Sequence, residues 1–476
     1  MTDATANAVG ELSSEYDGAD LHDARLSKRL MLVAGAIAAR PRDSFPDMFD
    51  DDAGADGAYR FLSNERVTAG PLSEPHQRET AARMGEASCV LVAHDTSAIS
   101  MCGEAMREGL GEISGGSQCG FYLHASLAID EARMRPLGVP SYITWTREPG
   151  VRKRGAGEKR CGSETAADTQ SEARRWLLCA QAVADVAGPQ TAQRIVHVMD
   201  SEADSFRLQR ELRELGQRYV IRLGQDRRVV DESAAKVVDK MTNAPIRSAF
   251  DVPLSARKGK QAPNANRRSG ERKARTAHLV VTAAAVTLRA PQYEQPLREL
   301  DVHVVRVSEP APPEGETPVD WVLYTTEPID SDDDVLRVIR IYRARWLIEE
   351  FFKALKTGCQ IEKRQLDSYH ALTNALALFI PVAWRMLLLR NLEQTEPDAL
   401  ATDVLTPTQI TIINRFGARK LALKPSSTVR DALRAVAGMG GHMNGKPGWL
   451  VIGRGMEKVL EYEAIWLAAR ATVGEM

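Results

Sequence analysis

Residues 341–356 read IYRARWLIEEFFKALK, and this stretch decides how the rest of the chain is interpreted. On a regular helix, with roughly 100° between successive residues, its polar side chains fall on one stripe. The members of that stripe are Tyr342, Arg345, Glu349, Lys353 and Lys356. Apolar side chains fall on the opposite side, at Leu347, Ile348, Phe351, Ala354 and Leu355. The pattern predicts a packed helix over 335–358 that holds a carboxylate among cations and a phenol.

The same spacing has an ordinary alternative. Arg345 and Glu349, and likewise Glu349 and Lys353, are four residues apart, which is the spacing of ion pairs on exposed helices. On the helical pattern alone, a solvated face with such pairs is the favoured interpretation.

Upstream of this stretch, short β-rich runs alternate with polar segments and helices. Strands are predicted over 89–95, 122–129, 140–145, 194–200 and 219–222, and a helix over 171–187. Strands mixed with helices indicate an α/β core. Two of the strands end in a carboxylate, at Asp95 and Asp200. By itself this is weak evidence for a site, since Asp commonly caps helices and begins turns.

Between about 224 and 322 the chain changes character. Residues 257–275 carry eight Lys or Arg against one acid and show no apolar periodicity, which predicts an exposed basic loop. It is flanked by runs rich in β-branched residues over 278–288, 300–307 and 321–325. We interpret the block as a β-rich insertion in the α/β domain. It is followed by helices over 335–358, 370–391, 428–439 and 454–471.

The N-terminal segment is acidic overall but contains one candidate amphipathic helix over 23–40. Its apolar stripe consists of Leu26, Leu30, Val33 and Ile37. Arg25, Lys28 and Arg29 lie off that stripe and could contact phosphates. A solvated basic face on a packed helix is about equally favoured.

Composition excludes several classes of protein. A net charge of −2 over 476 residues is not that of a small DNA-coating protein, so any contact with nucleic acid must come from local patches. Six scattered cysteines without a C-x-x-C pair argue against a zinc site. The apolar run near 375–389 is interrupted by Pro381 and Arg385, and no signal peptide is evident. We expect a cytoplasmic protein without a membrane partner.

Three motifs change the balance between these interpretations. They are Asp95-Thr-Ser, Asp200-Ser-Glu-Ala-Asp204 and the spacing Tyr342-x2-Arg345-x3-Glu349-x6-Lys356. In this order they resemble the DDE transposases of the fourth insertion-sequence family, above all its Tn-five-like group with the Tyr-Arg-Glu-Lys signature. Further similar stretches are 57–61, 219–222, 315–318, Trp321 with 326–328, and 448–449, so the resemblance covers nearly the whole chain.

The resemblance implies an RNase H-like catalytic core over 67–392, with the β-rich insertion at about 224–322. It also implies an N-terminal helical DNA-binding domain over 1–66 and a C-terminal helical dimerisation region over 393–476. Asp95, Asp200 and Glu349 would be catalytic residues and the ligands of two Mg²⁺ ions, for which Mn²⁺ could substitute. Three carboxylates suit such hard cations, which prefer oxygen ligands.

DNA contacts are implied as well. Tyr342, Arg345 and Lys356, with Lys353 on the same stripe, would lie along the DNA backbone, and Arg222 matches another contact of the family. The N-terminal Arg25, Lys28 and Arg29 keep only part of the family's arginine pattern, because Leu26 stands where a second adjacent Arg is expected.

Trp321 matches the tryptophan on which the family stacks an extruded base. An aromatic ring can hold such a base with roughly 1–3 kcal/mol of stacking free energy. The alternative is a core tryptophan in a strand, because Val322, Leu323 and Tyr324 follow it.

The expected function is cut-and-paste DNA transposition. The enzyme would act as a homodimer on double-stranded DNA, at the nucleoid of a bacterial cytoplasm. It would nick the transposon ends, form and resolve a hairpin, and transfer the 3′-OH to target DNA. Two alternatives stay open: a two-metal nuclease without strand transfer, and a DNA-binding inhibitor derived from a transposase.

Overall fold

The computed structural model describes residues 12–49, 51–101, 107–113, 118–147, 174–231, 234–256, 272–292, 294 and 299–474. The chain divides into two compact units. The first comprises Met1–Arg154, Gln181–Arg194 and Trp346–Met476, and the second comprises Gly155–Ala180 and Ile195–Arg345.

The strands, in chain order, are β1 (Val90–Ser100), β2 (Gly111–Ile113), β3 (Gln118–Asp130), β4 (Arg135–Trp145), β5 (Ile195–Met199), β6 (Arg218–Arg222), β7 (Ile246–Leu254), β8 (Arg275–Leu288), β9 (Leu300–Ser308) and β10 (Asp320–Thr325). The helices are α1 (Ala24–Ala39), α2 (Phe45–Met48), α3 (Asp52–Leu62), α4 (Ala69–Glu86), α5 (Arg174–Ala192), α6 (Phe206–Glu214), α7 (Val237–Thr242), α8 (Asp332–Ala344), α9 (Trp346–Lys353), α10 (Tyr369–Thr395), α11 (Pro407–Phe416), α12 (Val429–Met439) and α13 (Trp449–Gly474).

In the first unit, β3 is the central strand of an antiparallel sheet. It pairs with β1 over the full length of β1, and with β4 and the short β2. The core of this unit is α10, which is buried along almost its whole length because its residues are apolar on every face. Asn374 of α10 donates to the backbone carbonyls of Leu62 and Val67 at 2.9 and 2.8 Å, which fixes the end of α3 to the core.

Among the described residues, α10 is also the one helix that is long and apolar enough to cross a membrane by length and composition. Its apolar window is wholly buried inside the fold. The helix predicted over 370–391 is therefore confirmed, as a core element.

In the second unit the strands are ordered β5-β6-β10-β9-β8-β7. The β5–β6 pair is parallel and every other pair is antiparallel. Strands β7, β8 and β9 fall within about 224–322, the stretch predicted as a β-rich insertion, and they extend the sheet through β9–β10 pairing. Buried residues of α6 and α7 and of β5, β6, β8, β9 and β10 make one apolar core, with Phe206, Tyr219 and Tyr324 among the largest side chains.

The helix predicted over 335–358 is interrupted. α8 ends at Ala344, Arg345 forms a turn, and α9 is followed by a π-helical segment, Ala354–Gly358. We call residues 332–358 the signature segment. The prediction of one regular helix was wrong because a constant 3.6-residue period does not allow for the extra residue per turn of a π-helix. The division between the two compact units also falls here, after Arg345.

Candidate active site

Asp95 lies in the middle of β1. The sequence predicted that this strand ends at Asp95, but β1 pairs with β3 as far as Ser100, opposite Gly120. One carboxylate oxygen of Asp95, Oδ1, accepts a hydrogen bond from the backbone N–H of Thr96 at 2.8 Å. The side chain is half-buried, and its orientation is fixed partly by its own strand.

Glu349 belongs to α9, which packs against β1 and β3 in the same compact unit. The apolar side chains Ile348, Phe351 and Phe352 are buried, as the helical pattern predicted for the first two. Glu349 is half-buried. The first unit therefore places the helix that carries Glu349 on the strand that carries Asp95.

Lys356 is fixed to the same strand. Its Nζ donates to the carbonyl oxygen of Ala98 at 2.6 Å and lies 3.5 Å from the Glu362 carboxylate. Glu362 in turn accepts from the backbone N–H of Ser100 at 3.0 Å. The π-helical segment thus holds a cation beside β1, three residues along from Asp95.

Lys353 has a different environment. Its Nζ is 2.7 Å from an Oε1 of Glu350 and lies over the ring of Trp346 at 5.0 Å from the centroid. The ion pair that Lys353 makes is therefore with Glu350, three residues away, rather than the i,i+4 pair that the sequence suggested.

Asp200 belongs to the second unit and follows directly after β5. Its Oδ1 accepts from the backbone N–H of Glu202 at 2.8 Å, so that it caps the short 3₁₀ helix Ser201–Ala203. Asp200 and Asp95 therefore have similar local environments, since each has one oxygen held by a backbone N–H one or two residues along.

Asp204, four residues later, organises the chain after β6. Its side chain is fully buried and accepts from the backbone N–H groups of Gly224 and Gln225 at 2.7 and 2.8 Å. It also pairs with Arg227 at 2.8 Å. A buried carboxylate needs this many donors to offset its desolvation. Asp204 therefore fixes the loop that follows Arg222.

Tyr342, Trp321 and Arg222 lie together in the second unit. The rings of Trp321 and Tyr342 are 5.6 Å apart between centroids and meet edge to face. Arg222 donates a hydrogen bond to the Tyr342 side chain. Burial raises the pKa of the Tyr342 hydroxyl above its ordinary value and nearby Asp200 adds to this, while Arg222 and Arg345 oppose it. The net result is a neutral phenol at neutral pH.

The exposure of these side chains separates two interpretations of Trp321. Val322, Leu323 and Tyr324 are buried at 6%, 0% and 0% exposure, whereas Trp321 is only half-buried. Trp321 is therefore not a core residue like the three that follow it in β10. Tyr342 is 6% exposed, which is less than a residue on a solvated, charged helix face would be.

The N-terminal cations lie on α1. Arg25 and Lys28 are exposed, and the predicted apolar stripe is confirmed at Leu30, Val33 and Ile37. Arg29 is half-buried. Its guanidinium lies on Gly57 of α3, where a Cβ would come within 2.5 Å of Nη1. Because Gly57 has no Cβ, it leaves the space that the Arg29 guanidinium occupies. Of the predicted basic loop, residues 257–271 lie outside the described residues.

The donor chemistry of Asp95, Asp200 and Glu349 suits a hard divalent cation, because all three supply carboxylate oxygens. Within the described parts of the chain, no group of three or more His, Cys, Asp or Glu side chains is spaced to hold a metal ion. The triad therefore stays a prediction of the sequence.

Comparison with protein families adds to this geometry. Residues 11–67 match the family model described as Transposase DNA-binding. Residues 170–380 match the one described as Transposase DDE domain. The chain carries both domains of a DDE transposase. The transposase is thus an enzyme that acts on DNA, and its N-terminal domain includes Arg25, Lys28 and Arg29.

The matched ranges also bear on individual residues. The DDE match contains Asp200 and Glu349, together with Arg222, Trp321 and the signature segment. Asp95 lies in the interval between the two matches, so its assignment depends on its place in β1 and on the motif in the sequence.

Sequence reasoning missed Glu350. This carboxylate accepts from the indole Nε1 of Trp449 at 3.2 Å and from Lys353, and lies 3.8 Å from Arg390. The doublet Glu349-Glu350 was visible in the sequence, but its partners are far along the chain and no local pattern points to them.

Proposed function

We propose that this transposase moves DNA by a cut-and-paste reaction of the kind expected for the fourth insertion-sequence family. It would bind transposon ends, nick them, form and resolve a hairpin, and join the freed 3′-OH to target DNA. The observation that carries the proposal is the group formed by Trp321, Tyr342 and Arg222, with Arg345 and Asp200 close enough to affect the pKa of Tyr342. It combines an aromatic surface with cations beside a candidate metal ligand.

Asp95, Asp200 and Glu349 would hold the metal ions. Two bound Mg²⁺ ions would activate the attacking oxygen and stabilise the leaving one. The backbone N–H groups of Thr96 and Glu202 each hold one carboxylate oxygen, which limits rotation of Asp95 and Asp200. Side chains oriented in this way need less reorganisation to act as ligands.

Arg222, Arg345 and Lys356 would position the DNA backbone, since charge-assisted hydrogen bonds to phosphate fix register without reading sequence. Tyr342, as a neutral phenol, can donate a hydrogen bond to a phosphate oxygen. Trp321 presents a half-exposed ring on which an extruded base can stack. Together these residues would hold a tightly bent strand.

The assembly that we propose is a homodimer on two DNA ends, with the C-terminal helices α11, α12 and α13 in the dimerisation region over 393–476. Its place of action would be the nucleoid of a bacterial cytoplasm. Arg25, Lys28 and Arg29 of α1 would contribute to recognition of the ends.

The experiment uses the full chain, Mg²⁺, and duplex DNA made from the inverted repeats that flank the coding region. Labelled strands resolved on denaturing gels should show nicked DNA first and hairpin DNA second. Pre-cut ends mixed with target DNA should give joined products. Cleavage without joining would instead favour the nuclease, and binding without cleavage would favour the inhibitor.

A further inference from the structure

The helix that carries Glu349 is short and bounded by irregular backbone. α9 has 8 residues, begins after the turn at Arg345 and continues into the π-helical segment. A helix of two turns has little orientational stability of its own, so side-chain contacts must fix its rotation. Ile348, Phe351 and Phe352 do this on the buried side. Glu350 adds polar contacts with two other helices.

Glu350 is held from two other helices. Trp449, the first residue of α13, donates its indole N–H to Oε2 of Glu350 at 3.2 Å. The guanidinium of Arg390 on α10 lies 3.8 Å from the same oxygen and 4.4 Å from the centre of the Trp449 ring. We call Glu350, Arg390 and Trp449 the Glu350 clamp. Within the clamp, Trp449 is buried and Arg390 is nearly buried. Electrostatic contacts between such groups are less screened by solvent than contacts at the surface.

We propose that the Glu350 clamp is a positioning device, through which the start of the C-terminal helix α13 sets the orientation of Glu349 toward a divalent cation. Consecutive residues of a helix cannot rotate independently, so that holding Glu350 fixes the direction of its neighbour. Groups that orient metal ligands typically contribute about 10- to 100-fold to metal affinity or activity. The proposal rests on the proposed role of Glu349 as a ligand.

The test measures metal binding directly, without DNA cleavage. Mn²⁺ alone is titrated into the full chain, and the free ion is followed by electron paramagnetic resonance. Glu349→Gln defines the binding due to other carboxylates. Trp449→Phe removes one N–H donor and keeps an aromatic ring for Arg390. Glu350→Gln removes the charge with little change in shape. Trp466→Phe is the matched control, because Trp466 also lies on α13 with an arginine, Arg415, over its ring.

Trp449→Phe and Glu350→Gln should each weaken the Glu349-dependent Mn²⁺ binding about tenfold. The double variant should bind Mn²⁺ about as weakly as the weaker-binding single variant, because both changes loosen the hold on the same side chain at position 350. Trp466→Phe should bind Mn²⁺ like the unaltered chain. Trp449→Phe and Glu350→Gln should also need about tenfold more Mn²⁺ for half-maximal cleavage, with unchanged binding of DNA ends.

Different failures have different meanings. Unaltered Mn²⁺ binding by Trp449→Phe and Glu350→Gln, beside a clear loss in Glu349→Gln, would overturn the clamp and leave the proposed function intact. A lowered melting temperature without a change in Mn²⁺ affinity would likewise assign the clamp to stability alone. If Glu349→Gln itself binds Mn²⁺ normally, the ligand role and the clamp are both overturned.

Discussion

The two halves of the signature segment are built differently. The first half, α8, begins with a complete capping box in which Ser331 and Asp334 exchange hydrogen bonds, and ends with Tyr342 buried against Trp321. The second half, α9 and the π-helical segment, is short and irregular, and Lys356 is tied to β1 by the Ala98 carbonyl. A regular helix can present a preassembled group, whereas an irregular one depends on contacts with distant parts of the chain.

This difference corresponds to two proposed roles, contact with DNA and binding of a metal ion, whose residues lie on one helical stripe of the sequence. The first half, together with the turn at Arg345, carries the phenol and the guanidinium suited to DNA, and α9 carries the carboxylate suited to a metal ion. Changes in the first half should therefore alter the handling of distorted DNA. Changes in α9 should alter the response to divalent cations, whereas Lys356 of the π-helical segment is proposed to contact the DNA backbone.

The largest effects should come from the three carboxylates. Asp95→Asn, Asp200→Asn and Glu349→Gln should each lower nicking by more than about a hundredfold, beyond the cost of losing a group that merely orients a ligand. Binding of DNA ends in a gel-shift assay should change little. Asp333→Asn, an exposed carboxylate in the first turn of α8, is the control. A variant of the three that nicks normally in Mg²⁺ would remove that residue from the triad.

The next largest effect should come from Trp321. Trp321→Ala removes roughly 1–3 kcal/mol of stacking, and should slow hairpin formation about tenfold or more while nicking continues. Trp321→Phe keeps a ring and should lie in between. Single-turnover rates of nicked and hairpin products measure both steps. Equal losses in the two steps, together with a lower melting temperature, would assign Trp321 to the core.

Tyr342→Phe removes the hydroxyl that Arg222 contacts and should slow hairpin formation about tenfold, since a hydrogen bond to a charged group contributes at least about 1.5 kcal/mol. The raised pKa keeps the phenol protonated, so the rate should not fall between about pH 7 and 9 through ionisation of Tyr342.

Tyr324→Phe is a suitable comparison for Tyr342→Phe, because among the described residues the buried Tyr324 hydroxyl has no hydrogen-bond partner. It should leave both rates unchanged. If Tyr324→Phe matched Tyr342→Phe, the hydroxyl contact of Tyr342 would have no specific role.

Gly57→Ala should weaken end binding a few-fold without slowing cleavage of DNA already bound. The added methyl group would displace the Arg29 guanidinium, which is the flexible end of a side chain, so that the fold should persist. Gly70→Ala in α4, where a Cβ meets nothing within 4 Å, is the control. Fluorescence anisotropy with end DNA measures the difference. Equal binding by the two variants would show that the position of Arg29 is unimportant.

The smallest effects concern salt. End binding should weaken steeply with salt despite the net charge of −2, because phosphate contacts release counterions. Arg345→Gln and Lys356→Gln should each lower the slope of log affinity against log salt by about 1. Lys353→Gln should change it less, because the Nζ of Lys353 is held 2.7 Å from the Glu350 carboxylate and over the Trp346 ring, whereas the Nζ of Lys356 lies 3.5 Å from the carboxylate of Glu362. Affinity independent of salt would contradict a dominant role for phosphates.

Sequence patterns predicted most of the regular elements. Strands β8, β9 and β10 and helix α10 begin and end within a few residues of the predicted positions, because apolar alternation and long apolar runs are local properties. β7 was missed although Phe250, Val252 and Leu254 recur at every second residue. Pro253 lies within the run and argues against a strand unless it is at a sheet edge, and β7 is the last strand in the order.

The rest depends on non-local contacts. β1 continues past Asp95 because β3 supplies partners as far as Gly120. The π-helical turn cannot be recognised from a pattern that assumes a constant helical period. Glu350 and Trp449 are 99 residues apart, so no local sequence pattern predicts the hydrogen bond between them.

The role of Trp321 in holding an extruded base is tested most directly by comparing hairpin formation by Trp321→Ala on two pre-nicked substrates. One carries the normal base at the position to be extruded, and the other is abasic there. We expect a slow reaction on the normal substrate and a substantial recovery on the abasic one, because a missing base needs no unstacking and no ring to receive it. Equally slow hairpin formation on both substrates would contradict the assignment of Trp321 and its Tyr342–Arg222 neighbours to the handling of distorted DNA.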